Sequence, residues 1–255
     1  MTTGAEENSK VGVVTGGGSG IGRASALALL RNGWSIVLAG RRKEALEETV
    51  ALSGADPRRV LAVPTDIRNP DEVIALFRTI RQHFGRLDLL FNNAGAATLR
   101  RPITEVPFGD WSQVIDTIVT GGFLCAQQAF LLMREQSPMG GRIINNGAPS
   151  AYAPRPNSVA YTAAKHAVLG LTRALSLDGR KYSIACGQID VGNVASGDGR
   201  PQPSAMQADG TMAVEATIPV ERFTEALLFM ASMPLDANVQ FLTVLPTTMP
   251  FIGRG

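Results

Sequence analysis

The sequence predicts an α/β fold in which a parallel sheet carries helices on both faces. Short apolar runs alternate along the chain with longer segments of helical periodicity, which is the pattern of repeated β–α units. A glycine-rich turn over residues 16–22 joins the first apolar run to the first helical segment. With 255 residues, of which 45% are hydrophobic, the chain is long and apolar enough to build one core of this kind.

Each element is predicted from its own periodicity and its flanking residues. The strands are predicted at residues 11–15, 35–39, 60–64, 87–91, 142–145, 183–189 and 240–245. The helices are predicted at residues 21–32, 43–53, 70–84, 111–134, 158–177 and 221–231. Gly33 is expected to close the first helix, and Asn69 to cap the third, which has Pro70 at its first position. Residues 197–211, rich in Gly, Pro, Ser and Gln, are expected to form an irregular mobile loop beside the carboxyl-end crevice of the sheet.

Composition argues against several classes of function. The formal charge is +2, and the 24 basic and 22 acidic residues are scattered, which argues against a nucleic-acid surface. The two cysteines, Cys125 and Cys186, lie in apolar stretches, so we expect packing thiols in a reducing compartment and no metal site. The N-terminus lacks a basic start and an apolar core, and no apolar run approaches the roughly 18 residues of a membrane helix. A cytoplasmic protein that binds no membrane is expected.

The glycine-rich turn has the placement of a dinucleotide-binding loop. Between a strand and a helix, its backbone amides face the position that a pyrophosphate takes in a β–α–β unit. Glycines permit the tight turn and the close approach of phosphate oxygens. The pattern alone also fits a flexible loop, but its context favours a dinucleotide. The residues expected to hold the phosphates are Gly16, Ser19, Gly20, Ile21 and Gly22.

The end of the second predicted strand indicates which dinucleotide is preferred. An NAD enzyme usually has an acidic residue there for the ribose hydroxyls, whereas this chain has Gly40-Arg41-Arg42. A guanidinium offers two donors to a 2′-phosphate, so Arg41 favours NADP(H), with NAD(H) as the alternative. Arg42 is interpreted as a solvated charge at the start of a helix. Asp66, followed by Ile67, is placed either to accept a hydrogen bond from the adenine amino group or to cap a turn.

Tyr161 and Lys165 are four residues apart in a predicted helix, so both side chains project from the same face. A phenol with an ordinary pKa near 10 is a poor base. We expect the neighbouring ammonium of Lys165 to lower the pKa of Tyr161 and make it an acid–base group. Together with the glycine-rich turn, this pair indicates hydride transfer with a nicotinamide cofactor.

The chain resembles the short-chain dehydrogenase/reductase family over essentially its full length. The motifs that carry the resemblance are T-G-x-x-x-G-I-G from Thr15, N-N-A-G from Asn92 and Y-x-x-x-K from Tyr161. The resemblance implies a single Rossmann-like, doubly wound domain over residues 1–255 with a seven-stranded parallel sheet. It also implies an NAD(P)(H) cofactor, a small-molecule ketone or secondary alcohol as substrate, and a homodimer or homotetramer that packs through the two long helices.

The resemblance further implies roles for individual residues. Lys165 is expected to hold the nicotinamide ribose in addition to its effect on Tyr161. Val191-Gly192 falls where the family usually has Pro-Gly under the nicotinamide, and Ser196 where it usually has Thr. The other residues expected along the cofactor are Asn93, Ala94, Gly95 and Val194.

Two positions depart from the family pattern. The substrate-orienting serine of the family, 13 residues before the tyrosine, is Ala148 here, and the family's asparagine, which supports a water relay to the lysine, is Ile118. Loss of one oxyanion donor typically costs about 10²–10³ in rate. Ser150 is the first candidate to replace the serine and Tyr152 the second, although on an extended segment two residues move a hydroxyl by about 6–7 Å. Two functions therefore stay open: a slow or atypical NADP(H)-dependent oxidoreductase, and a catalytically impaired NAD(P)-binding sensor or assembly protein.

Overall fold

A seven-stranded parallel sheet forms the centre of the molecule, which confirms the predicted fold class. The structure is a computed structural model and describes residues 9–96, 100–195 and 204–252. Its strands, in chain order, are β1 (Val11–Thr15), β2 (Ser35–Gly40), β3 (Val60–Pro64), β4 (Leu89–Asn92), β5 (Gly141–Asn146), β6 (Ile184–Val191), β7 (Val194–Ala195), β8 (Ser204–Met206), β9 (Met212–Val214), β10 (Ile218–Pro219) and β11 (Phe241–Val244). The sheet order is β3-β2-β1-β4-β5-β6-β11, and every neighbouring pair is parallel.

The helices follow the strands in alternation. They are α1 (Gly20–Arg31), α2 (Lys43–Ser53), α3 (Pro70–Phe84), α4 (Phe108–Ile115), α5 (Gly121–Glu135), α6 (Val159–Asp178) and α7 (Val220–Ser232). The predicted caps are present: the Asn69 side chain accepts a hydrogen bond from the Asp71 amide at 3.0 Å, and Gly33 after α1 has a φ of +86°. Local capping chemistry therefore fixes these two helix ends.

The helix predicted at residues 111–134 is longer and less regular in the structure. α4 runs into a π-helical turn, Asp116–Thr120, and continues as α5. The resulting helix, Phe108–Glu135, is the one helix in the described part of the chain that is long and apolar enough to cross a membrane by length and composition. The sequence predicts no apolar run that approaches this length. Cys125, Ala126 and Ala129 are fully buried in the core, so this segment packs as a core helix.

Two hydrophobic clusters cover the two faces of the sheet. Alternate side chains of β1 enter different clusters, because side chains of a strand alternate between faces. Val13 packs in the cluster that contains Leu76 of α3, and Val14 in the cluster that contains Leu29 of α1 and Phe223 of α7. Burial on both faces explains why the central strands are continuous apolar runs.

The strand order reverses between β1 and β4, and open α/β sheets bind ligands outside the carboxyl ends of the strands at such a point. Thr15 ends β1, and its hydroxyl oxygen accepts hydrogen bonds from the Asn93 and Ala94 amides at 2.9 and 3.0 Å. These bonds join the chain just after β4 to the end of β1. They fix the floor of a crevice at the topological switch point.

Part of the stretch predicted to be an irregular loop is a β-hairpin. β8 pairs with β9 in antiparallel register around a turn in which Gly210 has a φ of +86°. The Asp209 carboxylate accepts a hydrogen bond from the Thr211 amide at 2.9 Å. The prediction of irregular structure is therefore wrong for these residues, because the Asp-Gly pair specifies a hairpin turn. Residues 197–203 of the same stretch lie outside the described residues.

Two further short strands bracket this region of the chain. β7 and β10 pair in parallel, with Val194 opposite Ile218 and Ala195 opposite Pro219. The hairpin and Glu215 lie between these two strands in the chain.

Candidate active site

The glycine-rich turn closes tightly over the end of β1. Gly16 has a φ of +71°, and its amide donates to the Ala39 carbonyl at 2.8 Å. A side chain at Gly22 would place its Cβ 2.2 Å from the Gly16 carbonyl oxygen, so only glycine fits there. α1 begins directly afterwards, at Gly20. The turn therefore brings the amino-terminal end of a helix to the crevice, where its free amides can bind an anion.

A crevice of about 190 Å³ runs from this turn to the end of β2. Arg41 and Arg42 line it, and the Arg42 guanidinium lies 3.5 Å from the Ser19 hydroxyl. Arg42, interpreted from the sequence as a solvated charge, therefore faces the same crevice as Arg41. Of the residues predicted along the adenosine half of a dinucleotide, those that line the crevice are Gly16, Ser19, Arg41, Asp66, Ile67, Ala94 and Gly95.

Asp66 caps a turn, which was one of the two alternatives for this residue. Its carboxylate accepts a hydrogen bond from the Arg68 amide at 3.0 Å and forms an ion pair with the Arg68 guanidinium at 2.5 Å. These contacts hold the pKa of the Asp66 carboxyl below its usual value. The carboxylate stays ionised and still borders the crevice.

Asn93 holds the ends of three strands together. Its side-chain amide donates to the Thr15 carbonyl at 2.9 Å, and its side-chain oxygen accepts from the Asn146 amide group at 2.9 Å. Asn93 thus supports the crevice floor, while Ala94 and Gly95 after it form the wall. Three other predicted residues, Gly20, Gly22 and Ile21, do not belong to the residues that line the crevice.

Lys165 and Tyr161 project from α6, and Lys165 contacts the carboxyl end of the central strand β5. The Lys165 ammonium lies 5.4 Å from the centre of the Tyr161 ring and donates to the Asn146 carbonyl at 2.6 Å. Burial lowers the pKa of Lys165 to about 8, because a charged ammonium loses hydration there. The helix register places the phenol and the amine on one face, as the sequence predicts.

The pKa of Tyr161 differs from the sequence expectation. Burial and the nearby Asp190 carboxylate raise it to about 12, against the opposing charges of Arg155 and Arg100. Lys165, which lies 5.4 Å from the ring centre, is not among the groups that lower it. The Tyr161 phenol is therefore protonated at neutral pH.

A larger cavity, of about 590 Å³, opens beside Tyr161. Ala148, Ser150 and Asn193 contribute to its wall. Ser150 lies on a 3₁₀ turn, Pro149–Ala151, and not on the extended segment that the sequence analysis assumed. The 6–7 Å displacement expected for an extended chain therefore does not apply. The Ser150 hydroxyl makes no hydrogen bond to another described residue, so it is available to a ligand in the cavity.

Asp190 is a fully buried acid that the sequence analysis missed. Its carboxylate accepts hydrogen bonds from the Gln188 side chain at 2.7 Å, the Tyr152 hydroxyl at 3.3 Å and the Ala148 amide. Burial raises the pKa of this carboxyl. Tyr152, the second candidate to replace the family serine, is thus engaged with Asp190. The sequence does contain a signal for such a residue, because Asp190 is an acid within the apolar run that forms β6.

Ile118 lies in the π-helical turn and is buried among Val114, Ala164 and Val168. An apolar side chain here excludes the polar relay that the family asparagine supports. The direct bond from Lys165 to the Asn146 carbonyl orients the lysine instead. Val194 pairs with β10 and packs against the core, outside the walls of both cavities. Ser196 lies outside the described residues.

Comparison with known proteins agrees with this geometry. The family model for short chain dehydrogenases matches residues 10–206. A 3β-hydroxysteroid dehydrogenase of Mediterraneibacter gnavus is 36% identical over 180 residues, covering 71% of this chain and 64% of that relative. An uncharacterized oxidoreductase of Staphylococcus aureus (strain USA300) is 35% identical over 93% of this chain and 97% of its own length.

Solved structures give the same result at the level of the fold. A short chain dehydrogenase from Bacillus anthracis superposes with a TM-score of 0.81 at 30% identity, covering 92% of this chain and 94% of that one. Acetoin dehydrogenase YohF from Salmonella typhimurium superposes with a TM-score of 0.80 at 29% identity, covering 97% and 98%.

The fold and site define an NAD(P)-dependent α/β oxidoreductase that acts on CH–OH donors. The chain belongs to the short-chain dehydrogenase/reductase family.

Proposed function

We propose that the protein interconverts a ketone and a secondary alcohol with NADP(H), using Tyr161 as the acid–base group. The observation that carries this proposal is the position of Tyr161. Its phenol borders a cavity of about 590 Å³ and lies beside Lys165. Both are at the carboxyl end of the sheet, where the glycine-lined crevice also lies. A substrate in the cavity and a dinucleotide in the crevice would meet at this residue.

The residues of the crevice fit an NADP(H) cofactor. A tight glycine turn at a helix amino terminus suits the pyrophosphate, and Arg41 and Arg42 at the end of β2 suit a 2′-phosphate. Gly40 leaves space between them and the turn. The absence of an acidic residue at the end of β2 argues against tight binding of NAD(H), because the adenosine ribose hydroxyls of NAD(H) usually donate hydrogen bonds to an acidic side chain there.

Tyr161 acts as the proton donor in the reducing direction. NADPH, when bound, supplies the hydride to the carbonyl carbon. The phenol proton passes to the carbonyl oxygen, so the product is the alcohol and Tyr161 is left as a phenolate to be reprotonated from solvent. With a pKa of about 12, the phenol is protonated at neutral pH but is a much stronger acid than the product alcohol, so it can protonate the developing alkoxide. The charges of Arg155 and Arg100 stabilise the phenolate, and we assign Lys165 to the nicotinamide ribose.

Ser150 supplies the hydroxyl that the family serine usually supplies. It lies on a 3₁₀ turn and borders the same cavity as Tyr161 and Ala148. A donor to the developing oxyanion is worth about 10²–10³ in rate. The second candidate function, a cofactor-binding protein with impaired catalysis, is favoured by Ala148 and Ile118 and applies if Ser150 does not reach the substrate.

The quaternary structure that we propose is a homodimer or homotetramer, with the tetramer as the favoured form. Phe123 on α5 and Leu177 on α6 are large apolar residues on the protein surface, 46% and 61% exposed. With Phe130 and Leu131 they line a groove between the two helices. A second copy of the chain would cover this apolar surface.

The test is a panel of ketones and secondary alcohols assayed with NADPH and NADP⁺. Wild-type protein is expected to oxidise NADPH with at least one ketone, and Tyr161→Phe to lose at least 10²-fold in kcat, as a positioned acid contributes about 10²–10⁴. Calorimetry with NADPH shows whether the variant still binds the cofactor. Tyr161→Phe activity equal to that of the wild type would overturn the role of Tyr161. No turnover by wild type despite NADPH binding would favour the impaired, sensing function.

A further inference from the structure

The cavity beside Tyr161 is lined by an excess of positive charge. Arg100, Arg101 and Arg155 contribute to its wall, and Asp110 is the acid among the described residues that line it. A cavity for an uncharged ketone needs an apolar wall and a few polar groups that fix its orientation. Three guanidinium groups are unusual for that task, and they suit an anionic ligand.

Arg155 is the most informative of the three. Its side chain is 9% exposed and forms an ion pair through Nη2 with the buried Glu215. The same Nη2 lies 3.4 Å from the side-chain oxygen of Asn193. The other terminal nitrogen, Nη1, is buried and has no hydrogen-bond partner. A buried donor of a charged group is unfavourable without an acceptor, and an anionic group of a ligand in the cavity would supply one.

Arg155 is held in place by a network around Glu215. The Glu215 carboxylate accepts hydrogen bonds from the side chains of Asn193 at 2.8 Å and Gln207 at 3.2 Å. Glu215 therefore fixes one edge of the Arg155 guanidinium and compensates its charge. The free edge is pre-oriented, which reduces the entropy that a ligand must give up on binding.

Arg100 supplies the second cationic group. It forms no hydrogen bond and no ion pair with any other described residue, and it borders the same cavity as Arg155. The charges of Arg155 and Arg100 both lower the pKa of Tyr161, and both side chains line the cavity that Tyr161 borders. Both guanidinium groups therefore lie near the phenol. Two cations with free donors near one point are the arrangement that binds an anionic group.

We propose that the substrate is a ketone or secondary alcohol that also carries an anionic group, a carboxylate or a phosphate, bound by Arg155 and Arg100. The inference rests on the proposed oxidoreductase function and specifies its substrate class. The Arg155 Nη1 atom donates to one oxygen of the anion, and the guanidinium of Arg100 donates to another. The reacting carbon then lies beside Tyr161.

The experiment compares ketones that differ only in charge. The probes are a series of keto acids from acetoacetate to 6-oxoheptanoate and their methyl esters, and dihydroxyacetone phosphate with dihydroxyacetone for the phosphate source. For at least one pair, kcat/KM with NADPH is expected to be about tenfold or more higher for the anion, as a charge-assisted hydrogen bond predicts. The pair that shows the difference distinguishes carboxylate from phosphate.

Three variants test the assignment. Arg100→Gln is expected to lower the anion-to-neutral ratio of kcat/KM about tenfold. Arg155→Lys keeps the charge beside Glu215 and removes the free Nη1, and should lower the ratio as well. Arg78→Gln, an exposed residue of α3 away from the cavity, is the matched control and should keep the wild-type ratio. Circular dichroism spectra check that each variant is folded.

Failure of this inference differs from failure of the proposed function. If esters and neutral ketones are reduced as well as the anions, the oxidoreductase function stands and the anionic substrate class is wrong. If no compound is reduced, calorimetry of the NADP⁺-loaded protein measures how tightly the charged and neutral member of each pair bind, and this comparison tests the anionic substrate class. Anion binding that exceeds ester binding and falls in Arg100→Gln supports the inference, and equal binding of both forms overturns it.

Discussion

Lys165 donates to the backbone carbonyl of Asn146 at a distance of 2.6 Å. Asn146 ends β5, and its side chain donates to Asn93 after β4. The lysine is therefore fixed to the end of the sheet by a main-chain atom, and this contact does not depend on the side chain at position 118. We infer that the chain keeps its lysine oriented although the family asparagine is replaced by Ile118.

Burial of Lys165 predicts a distinctive dependence of stability on pH. The folded-state pKa is lowered from 10.5 to about 8, so between these values the unfolded state binds more protons and stability rises with pH. Below pH 8 Lys165 is protonated in both the folded and the unfolded state, so the free energy of unfolding of the wild type is lowered by the full cost of burying the charged ammonium. The Tm of Lys165→Met minus that of the wild type, measured without cofactor, should therefore fall as pH rises from about 8 to 10.5. A difference that is constant with pH would contradict the buried, charged lysine.

Cofactor preference is tested at the end of β2. We expect calorimetry to give tighter binding of NADPH than of NADH. Arg41→Ala should weaken NADPH binding by about 1–3 kcal/mol, because a charge-assisted bond to the 2′-phosphate is lost. Arg42→Ala should have an effect of the same sign, and both should leave NADH binding almost unchanged. Arg222→Ala, on the exposed surface of α7, is the control. Equal affinities of the wild type for NADPH and NADH would refute the assignment.

The role of Ser150 is tested by exchanging the hydroxyl between two positions. Ser150→Ala is expected to lower kcat by about 10²–10³-fold while NADPH affinity is retained. Adding Ala148→Ser to that variant returns a hydroxyl to the family position and should recover part of the rate. If Ser150→Ala is as active as the wild type, another group serves the oxyanion. Ala148→Ser alone would then be expected to raise the rate by up to about 10²-fold.

Gly147 is predicted to be intolerant of any side chain. A Cβ there would lie 1.9 Å from an Asp190 carboxylate oxygen and 2.5 Å from the Gln188 amide nitrogen, both buried. Gly147→Ala should therefore destabilise the protein by about 1–3 kcal/mol, as overpacked cores do. Gly170→Ala, in α6, meets nothing within 4 Å and should stabilise it by about 0.5–1 kcal/mol. Urea denaturation measures both, and similar midpoints for the two variants would show that the Asp190 network yields easily.

Assembly through α5 and α6 predicts a mass above that of one chain. Light scattering at micromolar concentration should exceed the 27.0 kDa of the monomer. Phe123→Glu places a charge in the apolar groove and should lower the mass towards the monomer. Ile74→Glu, on α3 and 48% exposed, is the matched control and should leave the mass unchanged. A wild-type monomer would refute the proposal.

The sequence was sufficient where the determinants are local. β1 and the glycine turn were predictable because an apolar run followed by glycines has few structural solutions, and Asn69 capped α3 as its neighbours required. The hairpin was missed because the polar composition around it outweighed the Asp-Gly signal. Glu215, which follows the hairpin, shows what local sequence cannot predict. No neighbouring residue indicates that it contacts Arg155, which is 60 residues earlier in the chain.

The pKa values and contacts of the site residues were harder to predict than which residues form the site. Spacing placed Tyr161 and Lys165 on one face, but the pKa of each depends on burial and on groups that arrive from other elements. Asp190, Arg100 and Arg155 reach Tyr161 from β6 and from two loops. Similarly, the position of Ser150 depends on a 3₁₀ turn that begins with a proline after a β strand. Such features arise from tertiary packing and from short turns, for which sequence periodicity carries no signal.

The pairing of β7 with β10 has a consequence for how this enzyme could change. The described residues between these two strands, 204–217, include Glu215, which orients Arg155 beside the large cavity. None of these described residues lines the crevice at the end of β2. If the proposed function holds, substrate selectivity can therefore change by substitutions at residues 204–217 while the residues proposed to bind the dinucleotide stay the same.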